Sequence, residues 1–520
     1  MPFVAVRDSL TVSDQAGSNL ADYVREAARR RPDSPALVVG ATSLTWADVD
    51  EAVTAAASGL MASGLTQGDR VGLLLGNRPE FVIAYFGALR AGLVAVPLNP
   101  GFTPPEISRL IDHSGTALIV TDRETVSAAR QAGTSGLQVV VAGPVEVGEQ
   151  RFDDLLTRGR ELSSDHLAVA PDDLAVLLYT SGTSGDPKGA MLTHGALRAS
   201  VEQVAALDTP VVAPDDVVLL VLPLAHIYSL NGTLGAVVRQ AATAVLVERF
   251  DAEATLRLVR EHAVTNIPGA PPIWAAWSTR ADLRAALSGV RMLFSGSAAL
   301  STDVQQRVFD ATGRQIHEGY GLTEAAPGVS STVVSGEVKP GSVGQPFPGV
   351  DVRLVDEAGV AVKADDGDTG EIWIRGANLF SGYWPEGRDG PDDDGWYATG
   401  DVAYIDDEGD LHLVDRRKEL IIVNGFNVYP REVELVLLEH PAVVEAAALS
   451  TPDPATGEAV KAYVVTAPGA TITAEELAEH CAARLARFKR PALIEFVEQL
   501  PHSLTGKVAK GKLREPDEQP

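Results

Sequence analysis

A single cysteine in 520 residues, Cys481, leaves this chain without the means for an internal disulfide framework or a cysteine-rich metal centre. Leu477, Leu485 and Phe488 recur around it at helical spacing, so Cys481 reads as a buried packing residue rather than a reactive thiol. Positive charge is also scarce: Lys and Arg number 43 against 70 Asp and Glu, a formal net charge of -27. Such a surface repels nucleic-acid backbones and anionic lipid, which argues against both as partners. No apolar run reaches membrane-spanning length, and the opening MPFVAVRDSL has no basic region leading into an apolar stretch. The expectation is a cytoplasmic protein without an integral membrane segment. Internal repeats and low-complexity tracts are absent from the sequence as well.

What is present is alternation. Apolar strands at Val71–Leu75, Val94–Leu98 and Ala117–Thr121 are separated by helical stretches such as Pro79–Ala91, whose proline suits a first turn. Thr45 with Asp48 reads as a capping pair opening a helix through Met61. The alternation resumes with strands near Val217–Leu222, Thr243–Val247 and Val290–Phe294 and helices near Ala252–His262 and Thr302–Thr312. This predicts an α/β fold: a large N-terminal body of doubly wound sheets over residues 1–415. From about Gly349 short alternating segments and turns predict a β-rich subdomain, 349–415, with Asp407-Glu408-Gly409 as a hairpin turn. Residues 416–520 read as a small, mobile α+β domain, with helices at Arg431–Glu439 and Ala474–Phe488, a strand at Lys461–Thr466 and a boundary at Arg416–Glu419.

Five stretches carry chemistry. The first, YTSGTSGDPKGA from Tyr179 to Ala190, follows an apolar run and has the composition of a phosphate cradle. Gly182, Gly185 and Gly189 let backbone N–H groups converge on an anion; Thr180, Ser181, Thr183 and Ser184 add hydroxyls, and Lys188 one positive charge. It is not a P-loop, because Asp186 and Pro187 separate the lysine from the preceding glycine. The second, HEGYGLTEAAPG from His317, offers a tyrosine between glycines to lie against a planar base, the Thr323 hydroxyl for a phosphate, and the Glu324 carboxylate as a hard ligand for Mg²⁺. The third, YATGDVAYID, places Asp401 after a turn, where a carboxylate can accept two ribose hydroxyls. LPLAHIYSLNG from Leu222 and SLTGKVAKGKLR near the C-terminus complete the set.

In this order the five motifs resemble those of the acyl-adenylate-forming superfamily, and NGFNVYPREVE from Asn424 is similar to its fatty-acyl and aryl-CoA branch. Ser184 and Ala190 stand where Thr and a branched residue are commoner. The resemblance implies an AMP-forming acyl-CoA synthetase using ATP, Mg²⁺ and CoA. It implies that the Tyr179–Ala190 loop holds the phosphates, that Ser297, Glu318, Gly319 and Tyr320 flank adenine, and that Asp401 and Arg416 hold ribose. Lys507 becomes the catalytic lysine, with His226, Thr323 and Glu324 beside the reaction. Ala225, Tyr228, Ser229, Asn231, Gly232 and Trp274, with Gly296 and Gly321, would line the acyl pocket; Lys418 would be the hinge, and Gly425 would face CoA. The aspartate that amino-acid-activating relatives place in the pocket segment is missing here, and an unpaired buried ammonium is costly, so the acid is expected to be apolar. A medium- or long-chain fatty acid is the first expectation and a hydroxycinnamate the alternative, as is an acyl carrier protein in place of CoA.

Overall fold

The structure, a computed structural model, describes residues 18–133, 136–162, 168–181, 187–297, 300, 302–356, 359–362, 369–416, 421–428, 430–467, 469–501 and 513. Among them, two large sheets form the body. One runs in the order Gln150–Arg151, Gln138–Ala142, Thr116–Asp122, Arg70–Leu74, Val94–Pro97, Leu174–Ser181, Pro187–Thr193, parallel except for its last pair. The other has nine strands: Met292–Ser295, Asn266–Gly269, Val217–Leu220 and Thr243–Leu246 form its parallel centre, flanked by Ile316–Gly321 and Pro35–Val39. Strands covered on both faces need near-continuous apolar runs rather than alternating ones, and the central strands have them: Val94, Ala95 and Val96 are consecutive and all buried.

The expected elements of the body lie within a residue or two of those seen, whereas the strand expected at Lys461–Thr466 begins four residues earlier, at Gly457. Pro79–Arg90 begins with proline in its first turn, and Thr45 and Asp48 form a reciprocal capping box at the start of Trp46–Ala62. A four-stranded antiparallel sheet, Val350–Val355, Gly370–Gly376, Tyr397–Ile405 and Leu411–Arg416, occupies the stretch expected to be β-rich. Beyond it a five-stranded sheet, built around Val443–Asp453 and Gly457–Thr466, carries its own apolar core with Cys481 fully buried inside. Burial pushes the Cys481 thiol up to about 11, in keeping with an inert packing role.

Three local differences have physical causes. Both flanks of the glycine-rich stretch are strand, because Leu174–Ser181 continues past Leu178 and pairs antiparallel with Pro187–Thr193. Lys188, Gly189 and Ala190 are too mixed in character to announce a strand, but Trp384 N–H donates to the Gly189 carbonyl and Met191 N–H to that of Gly382, fixing its outer edge. The helix expected to reach Phe488 stops at Ala482. There Arg490 donates to the carbonyls of Ala482 and Leu485, which frees Phe488 to stack on Phe426 with ring centroids 4.5 Å apart. The pocket segment itself is a π-helical turn, Tyr228–Gly235, a wide coil that periodicity does not signal.

Helices Trp46–Ala62 and Phe152–Arg160 cross with backbone nearly touching backbone, so that a Cβ on Gly159 would overlap the Ala55 carbonyl oxygen. Gly159→Ala must therefore push the two helices apart. A loss of about 1–3 kcal/mol, the usual cost of overpacking, is expected in denaturant unfolding, whereas Gly148→Ala, with nothing within 4 Å, meets only the cost of its positive φ.

Candidate active site

The C-terminal ends of the central strands in the nine-stranded sheet open into a cavity of about 220 Å³. A single water needs roughly 10–15 Å³ on that measure, so the space is that of a substrate. It is continuous from Lys188, Thr323, Glu324 and Asp401 at one side to Val211, Val212 and Asn266 at the other. Such crevices beyond strand ends are where open α/β sheets bind ligands.

On the first side, Gly319, Tyr320 and Gly321 end the strand Ile316–Gly321 and line the cavity. Gly321 has no alternative, since a Cβ there would overlap the Pro327 carbonyl oxygen. The Tyr320 hydroxyl donates to Asp401 at 2.6 Å, which joins the tyrosine ring to the carboxylate expected at ribose. Asp401 is held in turn by its strand, paired in register with Arg416. Glu324 sits in the short turn Thr323–Ala325 and accepts a 2.5 Å hydrogen bond from the Tyr383 hydroxyl. Burial, with the Glu324 charge close by, raises the Tyr383 pKa, so the phenol keeps its proton and the carboxylate stays the acceptor. Tyr397 lies 3.3 Å from the same hydroxyl, and the Lys188 ammonium stands 4.9 Å over the Tyr383 ring.

The other side is the apolar arm. His226 accepts from Tyr228 N–H through Nδ1, so the neutral ring carries its proton on Nε2; burial lowers its pKa to about 4 and keeps it neutral. The Tyr228 ring is fitted between glycines: a Cβ at Gly296 would stand 3.1 Å from it and one at Gly232 3.4 Å. Its hydroxyl is buried and lacks a hydrogen-bond partner among the described residues. The arm follows the strand Asn266–Gly269 from Pro268 back to Asn266, a run of about 7 Å at the usual strand rise. Val211 and Val212 close it. Asn266 and Arg291 donate to the Val211 carbonyl, and Asp216 accepts from Arg291, Thr265 and Ala213. Burial opposes the Asp216 charge, but those hydrogen bonds hold its carboxyl below the usual range.

Of the expected residues, Lys188, His226, Tyr228, Gly232, Gly296, Ser297, Gly319, Tyr320, Gly321, Thr323, Glu324 and Asp401 meet in this one cavity. Gly425 approaches it from the C-terminal unit: an ideal Cβ on it would lie 3.8 Å from Ser297 Cβ. Trp274 does not join them. It is fully buried on the far side of Gly269, packed edge-on to Trp277 in a separate apolar core, because Pro271–Ser278 is a helix and turns it inward. Ser229 and Asn231 are buried behind the lining and tie backbone carbonyls: Ser229 that of Leu222, Asn231 those of Leu197 and Ala326. Ala225 is likewise outside the lining, and the Glu318 carboxylate turns away to accept from Leu300 N–H. Gly182, Thr183, Ser184, Lys418 and Lys507 lie outside the described residues, as do the side chains of Thr180, Ser181 and Arg416. Tyr383, Tyr397, Val211 and Val212 went unforeseen; Tyr397 opens the motif YATGDVAYID, the other three sit in no motif, and the three-dimensional pairing of Met191 with Gly382 brings Tyr383 to the site.

Comparison with known proteins agrees on the family. The model of the AMP-binding enzyme family matches residues 24–384, and that of the AMP-binding enzyme C-terminal domain matches 432–507. The chain is 35% identical to a protein named 4-coumarate--CoA ligase 3 of Oryza sativa subsp. japonica, across 99% of this chain and 93% of that protein. It is 34% identical to a long-chain-fatty-acid--CoA ligase of Bacillus subtilis, across 95% and 94%. It is 36% identical to a feruloyl-CoA synthase of an Amycolatopsis species, across 94% and 96%. Among solved structures it is similar to an amide bond synthetase from Marinactinospora thermotolerans, with a TM-score of 0.85, 28% identity and coverage of 95% and 99%. A double mutant of o-succinylbenzoate CoA synthetase from Bacillus subtilis, bound to a product analogue, gives 0.81, 27%, 95% and 98%.

The turned-away Glu318 yields a pH prediction. Burial pushes its carboxyl up to about 7, above its unfolded value, so the folded state favours the protonated form. Its contribution is complete below the unfolded pKa and is lost as pH rises through 7. Glu318→Gln should therefore gain melting temperature over the parent protein as pH goes from 5 to 8; a constant difference across that range would exclude the effect.

Proposed function

This chain belongs to the AMP-binding enzyme family, and we propose that it is an AMP-forming acyl-CoA synthetase that activates an apolar carboxylic acid with ATP and transfers the acyl group to CoA. The observation that carries this reading is the single cavity, in which Glu324, Tyr320 and Asp401 share one space with an apolar arm closed by Val211 and Val212. The named CoA ligases among its relatives support the reaction type. Among the described residues no helix is long and apolar enough to cross a membrane; a cytoplasmic setting is part of the proposal.

In the first half-reaction the acid's carboxylate attacks the α-phosphorus of ATP, and pyrophosphate leaves. Tyr320 offers its ring to the base, Asp401 accepts ribose hydroxyls alongside Arg416, and the glycine-rich stretch with Lys188 holds the phosphates. Lys507 neutralises charge between carboxylate and phosphate. In the second, the CoA thiol attacks the acyl carbon and AMP departs, with Gly425 letting backbone pass close to the incoming arm. Residues 1–415 form the body, with 349–415 as its β-rich part, and 416–520 swing about Lys418 to exchange Lys507 for Gly425.

The residues present fit a magnesium ion. No group of three His, Cys, Asp or Glu side chains among the described residues could cage a metal alone, but Mg²⁺ binds through one or two carboxylates plus substrate phosphate, and Glu324 supplies one at the cavity. Bound there, the ion would offset charge on the leaving pyrophosphate. Glu324→Gln keeps an acceptor for Tyr383, so the fold should survive while pyrophosphate release demands more magnesium; an unchanged magnesium titration would remove Glu324 from that role.

For the acid, an arm closed by Val211 and Val212 suits a medium-chain fatty acid better than a long one. An aryl acid is the second reading, favoured by the unpartnered Tyr228 hydroxyl, which a phenolic or alkoxy oxygen could meet. A panel of straight-chain and hydroxycinnamic acids, scored for AMP and acyl-CoA, separates them. With fatty acids, each added methylene should gain up to about 0.8 kcal/mol until the arm is filled, and Val212→Ala should move the optimum to longer chains. Turnover of α-amino acids instead, or an optimum that Val212→Ala leaves in place, would count against this pocket. Acyl transfer to free CoA, without carrier protein, separates the synthetase from a carrier-loading ligase.

A further inference from the structure

The side chain of Lys489, only 7% exposed, lies between two carboxylates from opposite sides of a seam. Glu432, on the helix Pro430–Leu438 of the C-terminal unit, is 2.9 Å from its ammonium; Glu106, on the helix Pro104–Ser114 of the body, is 3.3 Å away and 6% exposed. Glu106 divides its oxygens. Oε2 accepts from Thr103 N–H at 2.8 Å, closing a capping box, while Oε1 faces Lys489. Thr103 also crosses the seam, its hydroxyl donating to the Arg484 carbonyl at 2.9 Å, and the Phe102 ring sits 4.7 Å from the ammonium. The same strip continues to the cavity: Phe488, beside Lys489, stacks on Phe426, and Phe426 follows Gly425 at the edge of Ser297.

We propose that Lys489 and Glu106 are positioning residues for thioester formation, a clasp that holds the C-terminal unit where Gly425 faces the cavity. The inference rests on the two-step reading above. Its logic is electrostatic. A buried carboxylate needs its counter-ion, and here the cation serving Glu106 belongs to the other unit. When the seam opens, both groups return to water and Lys489 keeps Glu432, so the contact can break without stranding a charge in an apolar interior. The clasp is thus strong enough to select one orientation and reversible enough to release it.

Glu106→Gln tests this, because glutamine also serves a capping box and the helix start is retained. Thioester formation from supplied acyl-AMP and CoA should fall on the order of tenfold, and acid-dependent pyrophosphate release should stay within about twofold of the parent protein. Lys489→Met should behave alike, and Lys489→Arg should recover much of the rate. A second readout needs no turnover. Cys481 is the only native cysteine and is buried, so spin labels can be placed on Val147→Cys and Val444→Cys, both on exposed positions. The distance distribution should be narrow in the parent background and broader with Glu106→Gln. Equal losses in both half-reactions, or identical distributions in the two backgrounds, would overturn the clasp. A parent protein that forms no acyl-AMP from any acid would instead refute the functional reading, leaving the distance result to stand alone.

Discussion

The turn from Glu324 to Gly328 must keep its backbone carbonyls satisfied while buried between two halves of the cavity, and the site depends on how that is done. Asn378, fully buried, donates to the carbonyls of Ala325 and Gly328 at 2.7 and 2.9 Å. Phe380 N–H takes the Glu324 carbonyl, and the Asn231 amide takes that of Ala326. Buried carbonyls left unpaired are costly, so the turn has one place to sit. One end of it carries the Glu324 carboxylate at the cavity wall. The other end, at Pro327, abuts Gly232 in the apolar arm. A single irregular segment therefore joins the Glu324 side of the cavity to its apolar arm, and residues from two separate stretches of chain hold it.

That arrangement explains what the sequence could and could not disclose. Strands and helices of the body were readable because each is a continuous apolar run or a capped amphipathic stretch, as at Val94–Pro97 and Thr45–Asp48. Motif residues such as Tyr320, Glu324 and Asp401 stood out because glycines and short polar turns surround them. Asn378 had no such marking; an amide in RGANLF gains meaning only from the two carbonyls it meets. Trp274 misled for the converse reason: a tryptophan after two prolines looks like a pocket wall, yet the helix those prolines start directs it into the core. Lys489 was equally silent, since its partners lie 383 and 57 positions away.

The net charge of -27 and an anionic nucleotide are reconciled by distance. Most of the excess acid lies on outer surfaces, where salt screens it within about 10 Å. Inside, Asp401 and Glu324 are each engaged by a tyrosine hydroxyl, so their lone pairs are directed before a ligand arrives. Backbone N–H groups and a few hydroxyls, rather than a basic patch, are what such a site offers to phosphate.

The glycines beside Tyr228 have a consequence for how this protein can change. At Gly296 and Gly232 an added methyl would stand 3.1 Å from the ring and 3.2 Å from Pro327, so the neighbour must give only slightly. One base change in either codon can add a carbon there and shorten the list of acids that fit, with the backbone already in a conformation that alanine accepts. Widening is harder, because the far wall hangs from the Asp216 and Arg291 network, and a gap opened there loosens the start of two central strands as well. Inheritance is thus biased: narrowing takes only that small adjustment, whereas a broadening step such as Val212→Ala also thins the packing of the far wall.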